Sequence, residues 1–221
     1  DTTPGNNTVV FNNGATGTVT AATATSLTVT LSTSPASAGS LTAVVTTNVV
    51  SSGAAVQVAN VTPVVTVNTA HVAINTATLV ITGFGFDPVA TNNTVSLSNG
   101  AVGVVTTASA TSLTVTFSFF PAAAGPLTAS VTSNGVSSGA AVQVANSRPV
   151  VSSSTVNRAA TAPTVTINGV GFDPIANRNL VAFNNGAIGT VTSATKTSLI
   201  VTFSIKPKTA GSLTAIVVTN S

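Results

Sequence analysis

Three aspartates, one histidine and six cations are the ionisable side chains that this 221-residue chain offers for acid, base or metal chemistry; cysteine and tyrosine are absent. Acid–base catalysis needs positioned partners, and glycoside cleavage needs a carboxylate pair. Asp1, Asp87 and Asp173 stand 86 residues apart, so no acid pair falls within one stretch. His71 has Asn157 in its place one period later, so no Ser-His-Asp set recurs. A surface histidine, no enzyme activity and no cofactor are the expectations.

Asp87 follows Gly83-Phe-Gly-Phe86 and precedes Pro88. With Asn92 and Asn93 it makes a candidate calcium site, although calcium takes six to eight oxygens and usually several carboxylates. An Asp-Pro turn closing a strand calls for the same residues. The glycines lack the third glycine and following helix of a phosphate loop.

The cations Arg148, Arg158, Arg178, Lys196, Lys206 and Lys208 all lie after residue 147, whereas the earlier chain holds only Asp1 and Asp87. The pI near 10.3 reflects a net charge of just +3. Scattered cations without Tyr or Trp do not make a nucleic-acid face. Arg148, Lys206 and Lys208 are candidate interface residues: they are either solvated positions or a complement to an acidic or glycan-bearing partner. Phe120 joins them as a candidate interface residue. Its counterparts are Ser34 and Lys206, and strand alternation points it outward, towards another subunit or the adjoining domain. Folding over its own core is the other reading.

Asn6, Asn60 and Asn92 each open an Asn-x-Thr triplet and are candidate glycosylation sites. A chain rich in Asn and Thr also makes such triplets by chance.

The elements behind these residues repeat. Ser51 to Asn60 recurs unchanged as Ser137 to Asn146, and Asn13-Gly14, Asn99-Gly100 and Asn185-Gly186 keep the same 86-residue spacing. Within a period the apolar pattern has period two: Leu113, Val115 and Phe117 alternate with Thr114 and Thr116. Asn-Gly pairs and Pro/Gly clusters punctuate these runs, as in a sandwich. Seven strands are predicted in the middle period: 63–67, 78–84, 94–98, 103–107, 112–119, 127–133 and 140–144. The fold class is therefore all-β, tandem immunoglobulin-like sandwiches of 86 residues, divided 1–60, 61–146 and 147–221.

Only 4% of residues are charged and 43% are apolar, against roughly a quarter charged in ordinary domains. The surface must be Thr, Ser, Asn and Gly. Mean hydropathy is positive, yet Val alternates with Thr, so membrane insertion is not expected.

Pro-Val-Val, then Ile81-Thr-Gly-Phe-Gly-Phe86, Asn93-Thr-Val, Thr-Ser-Leu-Thr-Val, Ala-Gly-Pro-Leu-Thr-Ala-Ser-Val and a closing Val-Gln-Val resemble the IPT/TIG family. The resemblance implies an immunoglobulin-like scaffold used for structure and binding in receptors, transcription factors and bacterial surface proteins.

Without an initiator Met, the chain is expected to be processed or a piece of a longer one. Residues 1–60 lack the counterpart of Pro63 to Phe86, and 147–221 lack the counterpart of Ala140 to Val144. Either neighbouring sequence completes them, or another copy does by strand addition. The expected function is an extracellular or cell-surface structural subunit, polymerising with copies of itself. An adhesin stalk or carbohydrate-binding accessory module, with surface glycans as partners, is the alternative.

Overall fold

The computed structural model describes residues 1–219; residues 220 and 221, the end of the 147–221 segment, lie outside the described residues. The chain is all-β, and its helical elements among these residues are three single turns, Pro4–Asn6, Ala90–Asn92 and Ala176–Arg178. No helix there is long and apolar enough to cross a membrane.

The first segment holds β1 (Asn7–Phe11), β2 (Thr16–Ala22), β3 (Leu27–Thr33), β4 (Gly39–Thr47), β5 (Val50–Ser51) and β6 (Val56–Val61). The middle one holds β7 (Val64–Val65), β8 (His71–Ala73), β9 (Thr78–Phe84), β10 (Asn93–Leu97) and β11 (Val102–Ser109). It continues with β12 (Ser112–Phe119), β13 (Gly125–Ser133), β14 (Val136–Ser137) and β15 (Val142–Arg148). Last come β16 (Val150–Val151), β17 (Thr164–Val170), β18 (Asn179–Phe183), β19 (Ile188–Ala194), β20 (Ser198–Ile205) and β21 (Ala215–Thr219).

In the middle segment two sheets face each other, β10-β13-β15-β8 with β14 on β13, and β11-β12-β9-β7. Their inward residues make one core, with Leu79 and Ile81 of β9 and Leu113 and Val115 of β12 on one side. Leu127 and Val131 of β13 and Val144 of β15 face them, and Phe86 closes the end. Period-two alternation produces this core directly, because a half-buried strand aims every second side chain inward. Gly83 is required by close approach: a Cβ there would stand 2.4 Å from the Phe86 ring and 2.1 Å from the Val64 carbonyl.

Two short strands are not in the seven predicted. β14 is a two-residue return on β13, and β8 runs parallel to β15, pairing His71 with Asn146 and Val72 with Ser147. Neither has an alternating pattern of its own; the pairing defines them. The predicted 127–133 and 140–144 strands begin and end differently, at Gly125 and Arg148, since β13 and β15 extend each other by pairing from Gly125↔Ser147 onwards.

The Asn-Gly pairs carry the chain from one sheet to the other, not between neighbours in one sheet. Asn99 and Gly100 both take positive φ (59° and 68°) between β10 and β11. The Asn99 amide then donates to the Ala123 carbonyl at 2.6 Å, and Asn13 and Asn185 do the same to Ser37 and Thr209. Outer strand faces are laced by hydroxyl pairs, Thr20–Thr30, Thr106–Thr116 and Thr192–Thr202, at 3.1–3.3 Å.

Candidate functional site

In the middle segment β7 and β9 complete one sheet; residues 1–60 contain no counterpart to them. β3 pairs only with β2, and β6 only with β4, among the described residues. Their counterparts β12 and β15 are each flanked on both sides, by β11 and β9 and by β13 and β8. The result is an open groove of about 520 Å³ lined by Leu27, Val29, Val45 and Val58, with Val9 and Phe11. In the middle segment the same positions carry Leu113, Val115, Val131 and Val144, exposed by 0–1%. Val58 is 58% exposed. Leu27, Val29 and Val45 are half-buried; fully burying a Leu or Val side chain is worth about 1.5–3 kcal/mol, so closing the groove would add a part of that at each. Beside it run the free backbone edges of β3 and β6, which can hydrogen-bond an added strand.

The last segment is open elsewhere. Its β16-β17-β20-β19 sheet is four-stranded, but among the described residues β18 and β21 pair only with each other. β21 begins at Ala215, whereas its counterpart β13 begins at Gly125, equivalent to Gly211. The stretch 211–214 is the part that β15 pairs in the middle segment. Ile167, Phe172, Leu199 and Val201 still form a buried core.

Asp87 caps a turn. Its Oδ1 accepts the Val89 N–H at 2.7 Å, and its own N–H is shared by Asn93 Oδ1 and Ser133 Oγ. The buried Asn93 amide donates to the carbonyls of Asp87 and Val89. Asp173 with Asn179 repeats this set. The Val89 hydrogen bond lowers the Asp87 carboxyl below its ordinary value; partial desolvation opposes this, and the Asn134 and Asn92 side chains add to the lowering. Asn134 also donates to the Ala38 carbonyl at 3.0 Å, tying the turn to the preceding segment. Of the candidate calcium ligands, Asn93 is thus committed to the turn through both ends of its amide, while Asn92 is exposed. No three His, Cys, Asp or Glu side chains gather among the described residues.

Phe120 is 48% exposed, with its ring centroid 6.2 Å from that of Phe117. It also lines a cavity of about 280 Å³ with Ile74, Pro121, Val170 and Gly171, where the middle and last segments meet. Ile74 is the residue that sequence reasoning missed. It sits outside any strand and shows no periodicity, yet it is 4% exposed because its side chain packs over Gly171 (φ 82°). At the other junction the Ala38 N–H bonds Gly85 O directly at 2.7 Å.

Of the cation candidates, Arg148 is exposed at the end of β15. Lys206 donates to the Thr161 carbonyl at 2.8 Å, and the stem of Lys208 lies over Gly186. The structure does not bring these three together with Phe120 by any hydrogen bond or ion pair among the described residues. The ion pair that is present links Arg178 and Asp173 at 3.7 Å. Asn6, Asn60 and Asn92 are all exposed, Asn6 and Asn92 closing equivalent helical turns and Asn60 lying on β6; His71 is exposed too.

No protein-family model and no curated protein matches the chain. Among solved structures it is similar to surface layer protein SbsC, domains 4–9, at 18% identity and TM-score 0.24, covering 97% of this chain and 37% of that one. Domains 1–6 of SbsC match at 17% identity and TM-score 0.22, covering 100% and 33%. The chain spans about a third of the length of these structures. Likeness at this level says nothing about what the chain binds or builds.

Proposed function

We propose that the chain is an IPT/TIG-like structural building block, extracellular or on the cell surface, that joins copies of itself head to tail. A segment of one copy fills the open core of residues 1–60 in the next. The observation that carries this reading is the groove lining: Leu27, Val29, Val45 and Val58 are the same residue types, place for place, as the sealed Leu113, Val115, Val131 and Val144. A surface matched to a core and bordered by free strand edges is an acceptor for an added strand. The middle segment supplies the pattern that fits, Val65, Leu79, Ile81 and Phe86. Residues 149–172 carry its like in Val151, Val165, Ile167 and Phe172, which fill the core of their own segment and must leave it to be donated to a neighbour.

The charge distribution supports the polarity. Two carboxylates and no cation precede residue 147, and all six cations follow it, so unlike ends attract. A heterologous contact that does not close builds a filament. A carbohydrate-binding or adhesin role finds less support, because sugar platforms use exposed Trp or Tyr and the sequence has neither.

The test is electron microscopy and light scattering of the purified chain across a concentration series, with and without a synthetic Pro63–Phe86 peptide. Filaments that shorten to capped oligomers with excess peptide are expected. A folded monomer at every concentration that takes up no peptide would overturn the reading. A monomer that does take up the peptide would also overturn self-assembly, and would assign the groove to sequence outside these 221 residues.

A further inference from the structure

The outward-facing positions of one sheet differ among the three segments in a way the fold does not require. In β18–β21 the outward pairs are Leu180 with Val218 and Ala182 with Ile216. In β10–β13 the equivalent pairs are Thr94 with Thr132 and Ser96 with Ser130. Leu180, Ile216 and Val218 are 60%, 71% and 52% exposed. The inward neighbours Val181, Phe183, Ala215 and Val217 already supply the core of that segment. The middle segment builds the same strand pair with Thr and Ser outside, so four apolar outward residues are not needed for folding. They place an apolar patch in water, which on a structural protein marks a contact.

We infer that this β18–β21 face is a lateral contact between copies, and that it meets the outer face of β1–β4 on a neighbour. This rests on the self-assembly reading above but uses a different surface from the groove. Two observations select the occupant. In β1–β4 the same register carries Thr8 with Thr46 and Val10 with Val44, so the first segment has a partly apolar face where the middle one is polar. Val10 is 67% exposed. Charge also matches: the segment with Leu180, residues 147–221, holds all six cations against Asp173 alone, and the segment with Val10 holds Asp1 and no cationic side chain.

The area sets the strength. A stable pair of proteins buries about 800 Å² per partner, and a patch of a few side chains offers a few hundred at most. The contact is therefore weak singly and becomes effective when repeated along neighbouring filaments.

The test transplants the middle segment's own residues, which this fold demonstrably accepts. One variant is Leu180→Thr with Ala182→Ser, Ile216→Ser and Val218→Thr; the second is Val10→Ser with Val44→Ser. Electron microscopy reads filament pairing, and sedimentation reads dimerisation of the unpolymerised chain. The wild type should pair laterally, and either variant should weaken that pairing about ten-fold or more, since one lost apolar contact of this size suffices. Filament length should stay the same. Unchanged pairing in the first variant overturns the surface. Loss in the first but not the second overturns the choice of partner face. If filaments do not form at all, the head-to-tail reading fails alone, and dimerisation in sedimentation still decides this one.

Discussion

Leu27 and Leu113 are the same residue at the same place in two sandwiches, and they are sealed to different degrees. Leu113 is 0% exposed beside its cross-strand partner Ile81, whereas Leu27 is half-buried in the wall of an open groove. The strands that hold them, β3 and β12, share sequence pattern and hairpin register, down to the bulge after Val19 and Val105. What differs is the partner strand. Burial here belongs to the pair of sheets, not to the strand, and a core can be complete in composition while open in space.

The sharpest way to break that comparison is a matched truncation. Leu113→Ala should cost about 2–5 kcal/mol, the range for large-to-small changes in a packed core. Leu27→Ala in the monomer should cost less, about 1–2 kcal/mol, because Leu27 is only half-buried. Hydrogen exchange read segment by segment would measure both, and equal losses would mean the groove is closed in solution. In assembled material Leu27→Ala should approach the Leu113→Ala cost, if a neighbour's strand seals the groove.

Next in size is the buried amide common to all three segments. Asn93→Ala removes the donor to two carbonyls and one acceptor of the Asp87 N–H, and should cost about 1–3 kcal/mol by leaving them unpaired. Asn7→Ala should cost about as much, since Asn7 is equally buried and bonds Asp1 O and Thr3 O. This turn does not depend on the missing strands. Thermal unfolding of the two variants checks that the segments differ at the groove and agree at the turn.

A smaller effect follows from the Asp87 carboxyl, which the Val89 N–H holds below its ordinary value. A depressed folded value means the contribution is present above the ordinary carboxylate range and is lost as pH falls through it to the folded value. The stability gap between the wild type and Asp87→Asn should therefore narrow on acidification. Melting curves on both sides of that range would read it, and a gap that widens with acid would contradict the geometry. Smallest of all is Arg178→Ala. The guanidinium is 57% exposed and 3.7 Å from Asp173, so unfolding should shift by less than about 0.5 kcal/mol.

β9 and β12 were legible to the residue, 78–84 and 112–119, because long alternating runs bury one face. β8 was not. Its three residues carry a single half-buried side chain, and β15 alone makes them a strand. Asp87 and Asn93 were visible as a motif; the direction of the Asn93 amide, which donates to the carbonyls of Asp87 and Val89, was not, because it is set by how the turn folds back. Phe120 was visible as an outlier among Ser34 and Lys206; its neighbour Ile74 was not, since a lone apolar residue in a loop carries no period.

By itself the sequence determined the all-β class, the 86-residue spacing and the inward residues Leu113, Val115, Leu127, Ala129 and Val131, because these follow from side-chain alternation along a local backbone; Phe119 and Leu31, which the same alternation points inward, are 68% and 41% exposed at their strand ends. Tertiary structure alone decided which inward residues are sealed, where strand edges stay free and which outward residues form a patch, because each depends on pairing between segments far apart in the chain.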